Sequence, residues 1–360
     1  MKNKLLLTTA LTGGLIAASS AIAQTTVTGS LDLHFRTLSF SGQGGSAAGT
    51  NASRQGLGRE SQLNIQNKGK LNNGMDYAAG FSLEFDGGQQ ACPAGQNSCT
   101  DLNEVASVSN ENVYIDLIAG STLLTVGVDH VQNSTRHSAP MVRNILDDMP
   151  ALGVRATDQI GAKTKEFMHF GIVQQIPGTG ISLSAIKAPQ GNYGQSDQAV
   201  NTASERNPSY EIGFLGVNVG GVKGLNAHAF TNKERTSVGQ GNDIKGTTYG
   251  IGYTMGEFGI GADVHKTNRS TSTVTTENNM KATSIAATYA VTKEITLGAI
   301  YMRNSLDNVM ETERSKTFQV GYNLGPVAII GHYDMLDGIA GSSAATAEGK
   351  QAGVRFSTSF

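Results

Sequence analysis

The sequence predicts an all-β chain closed into a transmembrane barrel of about 16 antiparallel strands, with short turns on one rim and long loops on the other. Three observations carry that expectation. Stretches of about ten residues alternate apolar and polar side chains, the pattern of strands with two different faces. The connections between them alternate between short and long along the whole chain. The chain also stops in mid-alternation on an aromatic: in GVRFSTSF, Val354, Phe356, Thr358 and Phe360 share one face, and Arg355, Ser357 and Ser359 the other. Soluble domains usually finish on something expendable, so a final aromatic needs an apolar partner surface.

The first element is an export signal. Residues 1–23 carry Lys2 and Lys4, an apolar stretch over 5–16, and the small-residue pattern Ala21-Ile22-Ala23. That is the layout of a secretory signal peptide, and it puts the start of the mature chain, 24–360, at Gln24. Removing its two lysines leaves 27 − 2 = 25 basic residues against 29 acidic ones, a net charge of 25 − 29 = −4. That balance, with no basic run, argues against nucleic acid as a partner. After the signal no apolar run approaches the ~20 residues of a membrane helix. With 45 glycines and only 7 prolines, and Thr, Ser, Tyr and Asn throughout, the composition favours strands and turns.

The strands then follow one another. In VTGSLDLHFR, Val27, Leu31, Leu33 and Phe35 oppose Asp32, His34 and Arg36. Leu63 and Ile65 oppose Gln62, Asn64, Gln66 and Lys68. The turn Asn72-Asn73-Gly74 is a hairpin signal because its residues tolerate positive φ. Beyond it Met75, Tyr77, Phe81, Leu83 and Phe85 oppose Asp76, Ser82, Glu84 and Asp86. The same alternation sets Val113, Ile115 and Leu117 against Asn112, Tyr114 and Asp116, and Phe258, Ile260, Ala262 and Val264 against Asp263 and His265. Phe318, Val320 and Tyr322 oppose Thr317 and Gln319, and Val327, Ile329 and Tyr333 oppose His332 and Asp334.

Short connections fall near 71–74, 119–121, 177–180, 220–224, 255–257, 291–294 and 324–326. Long polar ones fall near 39–57, 87–109, 131–156, 189–208, 234–246, 268–280, 304–314 and 336–348. In lipid an open sheet edge leaves backbone groups unpaired, so the sheet must close and the last strand must meet the first near Val27. Phe356 and Phe360 then turn outward, and with no Trp an aromatic girdle is built from Tyr and Phe. A soluble sandwich or β-solenoid also alternates, but strictly alternating connection lengths are hard to obtain there.

Cys92 and Cys99, alone and close together in a polar loop of an exported chain, are expected to form one disulfide. The glycine-rich stretch 42–50 lacks the lysine that phosphate cradling needs, and the histidines show no metal-ligand spacing. No cofactor or metal is expected.

In order along the chain, VTGSLDLHF, SRQGLGRESQLNIQNKGKLNNGMDYAAGFSLEFD, TLLTVGVDH with the long insertion after it, and the terminal aromatic resemble the general-diffusion porins of Gram-negative bacteria. The resemblance spans essentially the whole mature chain. It implies a passive outer-membrane channel for small hydrophilic solutes, a homotrimer seated among outer-membrane lipid and lipopolysaccharide, and a third loop folded inward. It also implies that the terminal Phe360, with Phe356, is read by the barrel-assembly machinery. On this reading 131–156 is the constriction loop and Asp147 and Asp148 its acidic side. Arg54, in an SR-x-G pattern, would face that loop together with Arg36 and His34. Lys68, Asp129 and Arg355 would face the lumen away from the narrowest point. The segment after the loop reads RATDQIGAKTKEFMHF where the family has a tyrosine-bearing strand. Two other classes remain: a barrel enzyme of protease or lipase type, for which Asp129-His130 is the pair to consider, and a structural or adhesive surface barrel.

Overall fold

The computed structural model describes residues 24–41, 52–86, 107–128, 168–189, 208–235, 243–269, 279–306, 312–337 and 348–360. These residues form sixteen strands in one closed antiparallel barrel, each strand paired to its chain neighbours. The first four are β1 (Gln24–Ser41), β2 (Ala52–Lys70), β3 (Asp76–Asp86) and β4 (Ser107–Ala119). Then come β5 (Thr122–Val128), β6 (His169–Ile176), β7 (Ile181–Ala188) and β8 (Ser209–Val217). The second half contains β9 (Leu225–Arg235), β10 (Asp243–Met255), β11 (Phe258–Arg269) and β12 (Met280–Ala290). It ends with β13 (Ile295–Leu306), β14 (Glu313–Asn323), β15 (Val327–Asp337) and β16 (Glu348–Ser359).

Closure happens where the terminal aromatic requires it. β16 pairs with β1 from Ser30 opposite Ser359 up to Ser41 opposite Glu348. Gly29 and Phe360 exchange both backbone hydrogen bonds, at 2.8 and 2.9 Å. The Phe360 ring lies over Gly29, so closely that any side chain on that residue would meet it. Phe356 and Phe360 both face outward, 45% and 75% exposed.

The barrel is inside out relative to a soluble domain. Val27, Ile115, Ile251 and Ile260 lie on the outer face and are exposed, while Asp116, Asp263, Ser284 and Asn304 point inward and are buried. An apolar side chain on the outside is stabilised by lipid at roughly 25 cal/mol per Å² taken from water, the same driving force that fills a soluble core. The two faces of the strands named above fall as the alternation predicts. Among the described residues no helix is long and apolar enough to cross a membrane, so the crossing elements are the strands.

The tight turns lie at one rim. Gly74 takes φ +86°, Leu71 N–H donates to Met75 O at 2.8 Å, and Met75 N–H donates to the Asn73 side chain at 3.1 Å. The long-loop rim differs from expectation. The strands run further than the sequence boundaries suggest: β1 reaches Ser41, β2 begins at Ala52, and β9 and β10 pair as far as Arg235 opposite Asp243. Polar residues give no apolar signal there, yet their backbones gain the same ladder bonds above the apolar band. Arg54 therefore belongs to a strand and not to a loop. A second difference is a register shift between Gly80 and Ser82 on β3, where β4 carries Asn112 at φ +51°. The Asn112 amide donates to Ser82 Oγ at 2.9 Å and holds this bulge, a local event invisible to a period-two pattern.

Candidate functional site: the lumen

Every strand contributes alternate residues to the interior, so the inner wall can be read strand by strand. Near the seam, β1 supplies Asp32, His34 and Arg36, β16 supplies Arg355, and β15 supplies His332 and Asp334. Arg355 Nη2 donates to Asp32 Oδ2 at 2.6 Å, with both side chains mostly shielded. His34 stands directly opposite Arg355, and Arg36 opposite Gly353. Two rings use missing side chains: His34 lies against Gly58 and His332 against Gly353, each too close for a Cβ. His332 Nδ1 is 2.8 Å from Asp334 Oδ2.

Half-way round the barrel the wall is built differently. β8 brings Glu211 inward, β9 His228, and β11 Asp263 and His265, all buried. His228 Nε2 is 3.3 Å from Asp263 Oδ1, and both pack on Gly250, where a Cβ would collide with them. Thr248 Oγ1 contacts the His265 ring. Elsewhere Thr125 Oγ1 donates to Asp116 at 2.6 Å, and Asn304 Nδ2 to Glu313 at 2.8 Å.

The inward cations are gathered on one arc of the wall, where Asp32 and Glu60 also turn inward. Among the described side chains, the inward-turned lysines and arginines all lie on β1, β2 and β16: Arg36, Arg355, Lys68 and Lys70. The strands β3 to β15 turn in carboxylates, among them Glu84, Asp116, Glu211, Asp263 and Glu313, and among their described side chains no lysine or arginine. A low-dielectric wall focuses the field of such an arrangement across the lumen.

The expected site residues divide accordingly. His34, Arg36 and Arg355 come together on adjacent strands, with Arg355 closer to the other two than a place remote from them would suggest. Arg54 stands opposite Leu38 on the inward parity of β2, one inward step from Gly56, the partner of Arg36. Lys68 lies by the short-turn rim, opposite Gln24 and Ala78, well below this cluster. Asp147, Asp148, Asp129, Cys92 and Cys99 lie outside the described residues. In the sequence Asp32, His332 and Asp334 lie on polar faces with nothing to group them with the arginines, because their meeting needs β16 to close on β1. His228, buried against Asp263, was not picked out at all. Its signal was the inward parity of HAF within LNAHAFTN. Among the described residues no group of three or more His, Cys, Asp or Glu is arranged to hold a metal ion.

Comparisons with known proteins agree with this architecture. The anion-selective porin from Comamonas acidovorans aligns over 94% of this chain and 100% of its own, at 16% identity and a TM-score of 0.66. The outer-membrane OmpT of Vibrio cholerae aligns over 95% and 99%, at 13% identity and 0.59. A substituted variant of the Rh. blastica porin aligns over 93% and 100%, at 14% identity and 0.56. At such identities the likeness is one of fold. No curated protein sequence matches significantly. The family model of the Gram-negative porins matches residues 8–359. Closed barrel, apolar exterior, charged polar interior and family match converge: this chain belongs to the Gram-negative porin family and forms an outer-membrane channel.

Proposed function

We propose that this porin passes small hydrophilic solutes and ions passively through a lumen whose selectivity comes from a transverse field. The observation that supports it is the gathering of inward cations on one arc: arginines on β1 and β16, carboxylates on the strands facing them. Opposed rows of charge in a narrow pore sort ions by field as well as diameter. Arg36, His34 and Arg54 form the basic side of the constriction, and the loop 131–156 carries its acidic side at Asp147 and Asp148. Lys68, Asp129 and Arg355 add to the lumen charge. The channel does no chemistry of its own.

The finer features of the family reading go with this proposal. Residues 1–23 direct export, Cys92 and Cys99 form a loop disulfide, and the barrel-assembly machinery reads Phe360 with Phe356. The mature chain assembles as a homotrimer among outer-membrane lipid and lipopolysaccharide; a trimer form of the V. cholerae protein supports the oligomer. Single-channel recording in a planar bilayer tests the proposal. Stepwise ohmic conductance is expected, with a reversal potential under a salt gradient that grows as salt is lowered. A barrel that inserts and conducts nothing would overturn it.

A further inference from the structure

On the inner wall, β14, β15 and β16 carry a row of polar groups that a transverse field leaves unused. Thr317 stands opposite Asp334, and Asp334 opposite Gln351. Strand parity turns all three inward, away from exposed Phe318, Tyr333 and Phe356, and they are 3%, 1% and 7% exposed. Thr317 Oγ1, Asp334 Oδ1 and Gln351 Nε2 are shielded, and none has a hydrogen-bond partner among the described residues. Ser315 Oγ, one inward step along β14, and His332 Nε2, one inward step along β15, are in the same state.

A hydroxyl, a carboxylate oxygen and an amide N–H on successive strands could satisfy one another, yet these do not meet. Elsewhere on the wall such pairs close directly. Thr125 Oγ1 donates to Asp116 at 2.6 Å across β4 and β5, and Asn304 Nδ2 to Glu313 at 2.8 Å across β13 and β14. A shielded polar group left unpaired costs free energy, so five of them together point to a partner that is not part of the wall.

The chemistry of the row selects that partner. Gln351 Nε2 donates, Asp334 Oδ1 accepts, and the Thr317 and Ser315 hydroxyls do both. In a neutral His332 ring, Nδ1–H donating to Asp334 Oδ2 at 2.8 Å leaves Nε2 as an acceptor. An anion would meet the Asp334 carboxylate, and a cation would meet Arg355 and Arg36 on β16 and β1. A neutral hydroxyl donates and accepts at one atom, so it suits every member of the row. Neighbouring strands are ~4.8 Å apart, which makes the row roughly 10 Å wide, about the span of a small sugar. Buried Ile300, opposite Thr317, and buried Leu336, one inward step from Asp334, give the C–H faces of such a solute an apolar border.

We propose that Thr317, Asp334 and Gln351 form a binding station on the lumen wall for a neutral, polyhydroxylated solute whose hydroxyls bridge the row. The station rests on the channel reading and deepens it by naming a solute class.

The test uses the full mature chain, refolded, with sorbitol, glucose and sucrose as probes and gluconate, glucosamine and triethylene glycol as comparators. Single-channel recording reads interruption of the ion current, and titration calorimetry in detergent reads binding without conductance. The polyols are expected to act saturably and the comparators not. T317V/Q351L is expected to weaken polyol affinity about tenfold or more, as the loss of two hydrogen bonds implies. T317V alone swaps an unpartnered hydroxyl for a methyl of the same size, should weaken it several-fold, and keeps the test open if the double variant fails to fold. T288V, at an inward threonine beside Gly259 near the turn rim, should match wild type. Equal polyol affinity in wild type and T317V, no saturation by any polyol, or tighter binding of gluconate or glucosamine would overturn the proposal. Absent conductance in wild type would refute the channel reading, and calorimetry would still decide the binding station.

Discussion

The seam wall and the wall half-way round the barrel use the same devices to opposite electrical effect. On both, a histidine lies against a glycine that leaves room for its ring: His34 on Gly58 and His332 on Gly353 at the seam, His228 on Gly250 across the lumen. On both, a carboxylate stands beside the histidine, Asp334 at 2.8 Å and Asp263 at 3.3 Å. Only the seam adds arginine, with Arg355 holding Asp32 at 2.6 Å and Arg36 one inward step along β1. The difference teaches that period-two alternation brings any polar residue inward but is indifferent to its sign. What makes a field is that the arginines sit on strands distant in sequence that closure makes adjacent, facing strands whose described inward charges are carboxylates.

The strongest way to break the comparison is to prevent the seam from forming. Deleting Phe360 removes two backbone hydrogen bonds to Gly29 and the ring that covers it. Folded, heat-modifiable protein in the outer membrane should fall several-fold, while channels that do assemble should conduct normally because the ring faces lipid. Normal levels of protease-resistant barrel after the deletion would sink the assembly role.

The field itself is tested by reversing its two sides. Asp147→Asn with Asp148→Asn should shift the reversal potential towards anions, and Arg36→Gln or Arg54→Gln towards cations. Under a tenfold gradient of a monovalent salt the reversal potential itself is bounded at ~59 mV on either side of zero. In the double Asn variant conductance should change less than preference, since Asp→Asn barely changes volume. The shifts should be largest near 0.01 M salt, where the Debye length is ~30 Å, and shrink towards 1 M, where it is ~3 Å. An unchanged low-salt potential in the double Asn variant would mean that 131–156 is not the constriction.

A smaller effect is expected from the seam ion pair. Arg355→Gln should lower barrel stability by roughly 1–3 kcal/mol, because it leaves the shielded Asp32 carboxylate short of a charged donor. Asp32→Asn should cost a similar amount, and the double variant less than the sum of the two, read from urea refolding midpoints. Strict additivity would show that the pair does not couple.

The smallest effect concerns a loop away from both walls. Denatured, unreduced protein should show no thiol reactive to a maleimide if Cys92 and Cys99 are bridged. Converting both to Ser should leave conductance unchanged. Two labelled thiols per chain would refute the bridge.

Much of this was legible in order along the chain. The facing of Val27, Leu31, Leu33 and Phe35 against Asp32, His34 and Arg36 follows from the geometry of a strand, which any sequence of that pattern must obey. The need to close follows from lipid, which leaves no partner for an open edge. Local chemistry also determined the hairpins, since Asn72-Asn73-Gly74 tolerates the backbone a tight turn demands.

Tertiary structure alone decided the rest. Strand ends at the long-loop rim depend on whether two polar segments meet, as Arg235 meets Asp243, and no hydrophobic period reports that. The bulge at Asn112 depends on a Ser82 hydroxyl thirty residues earlier, at |i−j| = 30. Arg355 and Asp32 lie 323 positions apart, so their contact exists only because the final strand pairs with the first. Alternation is a property of neighbours in sequence and can be read from one chain segment at a time. Charge opposition across a lumen, or the like-charge pairs Lys245–Lys233 and Lys266–Lys281 on its exterior, is a property of register, and register is established only when the sheet has closed.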